Sequence, residues 1–262
     1  MTSLTTRRDY LARHRKTIIA RSLAGTLVAA VPLPFLDDWT LAAVLGGGYK
    51  RIAADYQIDL DETAIKNLVH GRAQPLAWGE VALSSIGARI AGRTARRMMV
   101  ALATARGASA AQRTFVTMTL FDHYCAKLHT GLGLDGNRAL ALRDEIGRAI
   151  DATPGALAFH PFRRGALAAV RAVARAPFEL ADMASAGAIR RLLSRGESVA
   201  EPEALTEIDA AVEAQLAESK SFLARTVTAV EAQLSAEANP FLDAVIDNFE
   251  RRWRARMAAK VD

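Results

Sequence analysis

Cysteine and aromatic residues are scarce in this 262-residue chain. Cys125 is the only cysteine, so no internal disulfide can form and a reducing compartment suits the chain. Aromatic residues make up 6% of the sequence, whereas Ala, Leu, Arg and Glu recur throughout. These frequent residues lose little on entering a helix, while strands favour aromatic and β-branched residues. The composition therefore predicts an all-α fold, built as a multi-helix bundle.

Motifs for phosphate or cofactor binding are also lacking. No G-x-x-x-x-G-K-[ST] loop occurs, so the chain is not a nucleotide-hydrolysing protein of that kind. Gly131–Gly136 matches G-x-G-x-x-G, but it follows a predicted helix, whereas the dinucleotide fingerprint follows a strand. We interpret it as an inter-helix loop. The sequence thus predicts no enzyme and no cofactor.

No apolar run is long enough to span a bilayer. Residues 22–36 are uncharged for 15 residues, whereas a span needs about 20 apolar residues. Arg21 precedes the run and Asp37 follows it, and both are costly at bilayer depth. Two alternatives remain: a hairpin buried in the core, or a hairpin that dips into one leaflet.

The chain carries a net charge of +6, which favours anionic partners. Its amino terminus lacks a small-residue cleavage pattern, so we expect a cytoplasmic protein, with a peripheral position on the inner membrane as a further expectation. The predicted membrane-docking residues combine the apolar turn of the hairpin with the basic residues that flank its helices. They are Leu33, Phe35, Leu36, Trp39, Arg13, Arg15, Lys16, Lys50 and Arg51.

Prolines and aspartates divide the first half of the chain into helices. Pro32 and Pro34 end a helix that starts near Arg7, and Asp37 or Asp38 caps a second helix that ends at Tyr56. A third helix starts at Asp59 or Asp61 and ends at His70. Further helices are predicted over 78–106, 110–129, 138–150, 163–175 and 178–194, with breaks at 107–109 and 153–155.

Residues 195–202 are predicted to link a helical body, residues 1–195, to a carboxyl-terminal helical hairpin, residues 203–262. Apolar residues at three- and four-residue spacings predict one helix over 205–234, and Asn239-Pro240 starts a second. The apolar stripe must be buried against the body, a second copy or a partner. The candidate partner-binding residues are Leu216, Leu223, Val230, Phe249 and Trp253.

Asp122, Cys125 and His129 share one helix face. Such a set can hold a metal ion or act as nucleophile and base, but no fourth ligand or orienting partner is visible in the sequence. A packed interior is therefore the favoured interpretation. Arginine clusters at 93–97 and 251–256 leave non-specific nucleic-acid binding as a further alternative.

The segment Pro32-Leu33-Pro34-Phe35-Leu36-Asp37, followed by the run from Tyr49 to Tyr56, resembles a bacterial helical family of unknown function that accompanies or is fused to Era-like GTPases. The resemblance ends near His129. It implies a membrane-associated accessory module without catalytic residues. We therefore expect a non-enzymatic protein that docks at the cytoplasmic membrane face and binds a partner or itself. The alternatives are an assembly component without membrane contact and a nucleic-acid binder.

Overall fold

The computed structural model describes residues 10–29, 37–72, 93–157, 202–218, 222–236 and 240–259. These residues form eight helices and two two-residue strands, which confirms the all-α class. The helices are α1 (Tyr10–Ala29), α2 (Asp37–Asp55), α3 (Glu62–His70), α4 (Arg93–Lys127), α5 (Gly136–Asp151), α6 (Pro202–Ala217), α7 (Phe222–Ala236) and α8 (Pro240–Ala258). The strands β1 (Asp59–Leu60) and β2 (Gly133–Leu134) pair in parallel.

Some predictions fall on residues outside these ranges. They are the turn residues Leu33, Phe35 and Leu36, the helices over 163–175 and 178–194, the linker up to residue 201, and residues 78–92 of a predicted helix. Trp39 lies in α2 and Leu216 in α6, but their side chains are likewise outside what the structure describes.

Two aspartates fix the starts of short helices. Asp61 accepts a hydrogen bond from the amide of Ala64 at the start of α3, and Asp135 accepts one from the amide of Arg138 at the start of α5. The glycine-rich run therefore joins α4 to α5, as predicted. A Cβ atom on its last glycine, Gly136, would lie 2.6 Å from Cγ2 of Thr63, so this glycine allows α3 and α5 to pack closely.

The core is centred on α1, which packs against α2, α4 and α7. Ile18, Ile19 and Leu23 of α1 are fully buried. Gly48 brings α2 close to α4 and α1, since a Cβ atom there would lie 2.6 Å from Cε of Met118 and 3.0 Å from Cγ of Arg21. Residues 18–25 and 44–49 of the predicted hairpin are thus mostly core, which favours the buried alternative for this part of it.

The helix break predicted at 107–109 is wrong, because α4 continues through it from Arg93 to Lys127. A glycine in a helix interior costs only about 1 kcal/mol. The following turns bury Phe115, Met118 and Phe121, and burying one large apolar side chain contributes about 1.5–3 kcal/mol. Packing therefore outweighs the local preference of Gly107.

The carboxyl-terminal segment has three helices where two were predicted. α6 ends at Ala217 and α7 begins at Phe222. Glu218, which follows α6, is not helical, and residues 219–221 lie outside the described ranges. The apolar spacing concealed this break, since Leu216 and Leu223 stand seven residues apart on either side of it. α8 begins at Pro240, as predicted.

These three helices pack on the body, with α6 against α2, α7 against α1, and α8 against α5 and α4. Leu223, Val230, Phe249 and Trp253 are between 0% and 3% exposed. The chain's own body therefore covers these four side chains, which is the first of the three alternatives for the apolar stripe, and their role in binding a partner stays a prediction. Apolar residues at three- and four-residue spacings indicate that a helix face is buried, but they do not indicate which surface covers it.

A buried arginine secures α6 to the hairpin. Arg21 of α1 is fully buried and donates from Nη1 to the carbonyl oxygen of Val44, 3.1 Å away. Its Nη2 donates to the carboxylate of Glu213 on α6, to which Arg51 of α2 also donates. A buried charge is tolerated when it is paired and hydrogen-bonded.

We expect Glu213→Gln to lower the free energy of unfolding by about 3 kcal/mol, because it removes the charge that compensates buried Arg21. The matched control is Glu231→Gln, whose partner Lys16 lies 3.5 Å away with a side chain that is 69% exposed. That change should cost less than about 1 kcal/mol. Urea denaturation measures both, and equal losses would contradict this account of Glu213.

Candidate functional site: a histidine between two carboxylates

The imidazole of His14 lies between carboxylates from two other helices. Its Nδ1 is 2.9 Å from Oδ1 of Asp122 on α4, and its Nε2 is 2.8 Å from Oδ2 of Asp55 at the end of α2. His14 and Asp122 are buried, while the Asp55 side chain is about half exposed. We call His14, Asp55 and Asp122 the histidine clamp.

This geometry constrains the protonation of the clamp. A neutral imidazole has one N–H donor, so it can donate to only one carboxylate. When both aspartates are ionised, two hydrogen bonds require the doubly protonated imidazolium. Burial opposes that charge most strongly, but the hydrogen bonds to Asp122 and Asp55 and their negative charges outweigh it, so the pKa of His14 is raised.

The negative charge of buried Asp122 affects the pKa values of the residues around the clamp. The Tyr56 ring meets the His14 ring edge-on, with the centroids 5.5 Å apart. Burial and then the charge of Asp122 raise the pKa of Tyr56. Burial and Asp122 likewise raise the pKa of Cys125 well above its ordinary value. Cys125 is therefore held as a thiol, which is a poor nucleophile and metal ligand.

The geometry of the clamp suits a structural contact between helices. A general base needs a ring nitrogen that is free to accept a proton from a reacting group, but both nitrogens of His14 face carboxylate oxygens. The His14 side chain is also only 4% exposed. What the arrangement does is hold three helices through one proton-dependent contact.

The residues Asp122, Cys125 and His129 do not converge on one site. Asp122 bonds His14, whereas Nδ1 of His129 lies 3.0 Å from the hydroxyl of Tyr124. Burial and the charge of Arg138 lower the pKa of His129. Within the described ranges, no group of three or more His, Cys, Asp or Glu side chains is placed to hold a metal ion.

A second polar contact lies beside the clamp, one residue further along α4. The Tyr10 hydroxyl hydrogen-bonds Nδ1 of His123, and Nε2 of His123 lies 3.7 Å from a carboxylate oxygen of Glu250 on α8. Lys127 stands over the Tyr10 ring, with Nζ 5.1 Å from its centroid. Two histidines that α1 and α4 contribute thus link α1, α2, α4 and α8.

The basic docking candidates lie at the open end of the hairpin. Arg13, Lys16, Lys50 and Arg51 are exposed and Arg15 is partly buried. At a rise of 1.5 Å per residue, Arg13 is about 24 Å along α1 from its last residue, and Lys50 is about 20 Å along α2 from its first. The basic candidates therefore lie far from the helix ends at Ala29 and Asp37.

The contacts of His14, Asp55 and Glu145 were not predicted from the sequence. The one available signal was the pair Tyr10 and His14, which stand four residues apart and so share a face of α1. That face meets Asp122 and His123, which are neighbours on α4.

No protein-family model matches the chain, and no curated protein or solved structure is significantly similar to it. Among the residues that the structure describes, no helix is both long and apolar enough to cross a membrane.

The shifted pKa values of His14 and His129 predict opposite effects of pH on stability. Because the folded pKa of His14 is raised, its stabilising contribution is complete below about pH 6.5 and is lost as the pH rises above that value. Because the folded pKa of His129 is lowered, its protonation opposes folding as the pH falls below 6.5. Stability from His14 therefore declines on the alkaline side, and stability from His129 declines on the acidic side.

We expect His14→Gln to lower the free energy of unfolding by about 3 kcal/mol at pH 6.5, since it leaves Asp122 buried without its cation. The variant should also lose the decline that the wild type shows as the pH rises above 6.5. His129→Gln is the control and should keep that decline while losing the acidic one. Denaturant titrations on both sides of pH 6.5 measure both, and an unchanged alkaline slope in His14→Gln would contradict the clamp.

Proposed function

We propose that this chain is a non-enzymatic helical accessory protein that docks on a membrane through the tip of its α1–α2 hairpin. One observation carries the proposal. α1 and α2 pack side by side in the core, and residues 30–36 that join them read Ala-Val-Pro-Leu-Pro-Phe-Leu. This segment has no charged or hydrogen-bonding side chain, so water is a poor environment for it.

The base of the hairpin supplies a rigid support for such a tip. The histidine clamp and the Arg21–Glu213 contact hold α1 and α2 against α4 and α6. Transfer of an apolar side chain such as Leu33 or Phe35 out of water contributes about 1.5–3 kcal/mol. Trp39, in the first turn of α2, is of the type enriched at membrane interfaces. A few such residues suffice for reversible binding.

The position of the basic residues changes the expected lipid dependence. They lie about 20 Å or more from the tip along the helices, whereas the Debye length at physiological salt is about 8 Å. Two of them also face carboxylates of the same chain, since Lys16 pairs with Glu231 and Arg51 with Glu213. Binding should therefore depend on apolar insertion more than on anionic lipid.

The described surface gives less support to an assembly role. In the described part of the chain, Leu132 is the one large apolar side chain that is strongly exposed, at 85%, and single exposed apolar residues are ordinary. The resemblance of the first half to a membrane-associated accessory family agrees with the membrane proposal.

Flotation with liposomes tests the proposal. The wild type should float with both neutral phosphatidylcholine vesicles and anionic phosphatidylglycerol vesicles, because insertion supplies most of the affinity. Phe35→Asp combined with Trp39→Asp should abolish flotation with both. Arg13→Gln combined with Lys50→Gln is the matched control and should float like the wild type.

Circular dichroism and thermal unfolding confirm that each variant is folded. Absence of wild-type flotation at low salt would overturn the proposal and leave an assembly component as the better account. Flotation that only the Arg13→Gln, Lys50→Gln variant loses would place docking at the open end of the hairpin.

A further inference from the structure

A buried carboxylate on α5 gathers three arginines. Glu145 is 5% exposed. Its Oε1 accepts hydrogen bonds from Nη1 of Arg148 and from Nη1 of Arg256, each at 2.9 Å. Its Oε2 accepts a longer one, 3.4 Å, from Nε of Arg252. Arg148 lies on α5, while Arg252 and Arg256 stand one turn apart on α8.

The charges in this cluster do not balance. Three guanidinium groups face one carboxylate, which leaves an excess of two positive charges. Three neighbouring carboxylates on the same helices pair with other arginines: Asp144 with Arg72, Asp151 with Arg113, and Glu250 with Arg254. Within the described residues, the ion pairs of these carboxylates do not involve the cluster.

The three guanidinium groups are held close together and reach solvent. Because Arg148 and Arg256 share one acceptor oxygen at 2.9 Å, their Nη1 atoms are at most 5.8 Å apart. The side chains of Arg148, Arg252 and Arg256 are 57%, 36% and 30% exposed. Each guanidinium carries five N–H donors and gives one to Glu145, so donors remain for a ligand.

We propose that Arg148, Arg252 and Arg256 form a binding site for a phosphomonoester dianion, and that Glu145 positions their guanidinium groups. The excess of two charges matches a phosphomonoester, which carries about −1.5 to −2 at neutral pH. Guanidinium forks bind phosphate oxygens through paired hydrogen bonds. The dianion also relieves the mutual repulsion of three cations that one carboxylate holds together.

A nucleic-acid backbone fits the cluster less well. The arginines from 251 to 256 do not form one continuous basic stripe, because Arg252 and Arg256 turn to Glu145 while Arg254 pairs with Glu250. A phosphodiester carries one charge per phosphate, and duplex binding requires contacts spread along the backbone. The compact cluster suits a single doubly charged group.

Inorganic phosphate is the first probe, with the full-length protein. At pH 8 and constant ionic strength, millimolar phosphate should raise the Tm of the wild type as a ligand that binds the folded state, and isothermal titration calorimetry gives its Kd. Arg148→Gln should weaken the Kd about tenfold, the equivalent of one charge-assisted hydrogen bond. The Tm of this variant without phosphate should stay near the wild-type value, because Glu145 keeps two arginines.

The matched control is Arg254→Gln, which removes an exposed arginine of the same helix that pairs with Glu250. Its Kd for phosphate should equal that of the wild type. No measurable phosphate binding by the wild type, or equal affinity in Arg148→Gln, would overturn the proposal. If duplex DNA binds more tightly than phosphate, and Arg254→Gln weakens that binding as much as Arg148→Gln does, the region is a general basic surface.

Vesicles distinguish a free phosphomonoester from a lipid head group. The Phe35→Asp, Trp39→Asp background removes the proposed tip contact, so this experiment is independent of the proposed function. Flotation with phosphatidic acid vesicles that Arg148→Gln reduces, and that phosphatidylglycerol vesicles of equal charge do not reproduce, assigns the site to a lipid phosphomonoester. Phosphate binding without such flotation assigns it to a free ligand.

Discussion

The contact of the His14 ring with two carboxylates sets the relative positions of α1, α2 and α4. His14 reaches Asp55 and Asp122 in opposite directions from the second turn of α1, so a slide or rotation of α1 breaks at least one hydrogen bond. The other helices then depend on this arrangement. α7 packs on α1, and α6 packs on α2 and accepts from Arg21 through Glu213. The apolar core supplies most of the buried surface, while the clamp selects one relative position of α1, α2 and α4.

Buried charges recur in this bundle at the junctions between helices. Arg21, Asp122 and Glu145 are each at most 5% exposed, and each contacts a residue of opposite charge on another helix. Such pairs add little net stability compared with apolar residues of the same size. These pairs contribute specificity instead, because a hydrogen-bonded charge tolerates a displacement of its partner less than an apolar contact does. A core rich in alanine and leucine gains its specificity from them.

Local signals in the sequence predicted the helix class, the hairpin, the start of α3 at Asp59 or Asp61 and the start of α8 at Pro240, because caps and prolines act within one turn. The structure selects Asp61 as the cap of α3. The local signals failed at Gly107, where tertiary burial outweighs the local preference, and at Glu218, where the apolar spacing persists although the helix ends. The site was harder to predict. Asp122 was recognised as a polar residue on a buried face, but its partner His14 lies 108 residues away. Spacing along one helix carries no information about the helix opposite.

The long sequence separations in the core bear on the order in which the chain folds during synthesis. His14 meets Asp122 after 108 residues, and Arg21 meets Glu213 after 192. A ribosome adds about 5–20 residues per second, so roughly ten seconds or more pass between the appearance of Arg21 and that of its partner. During this interval the apolar face of α1 and its buried arginine lack their carboxyl-terminal covering. The native packing of α1 can therefore be completed only near the end of translation.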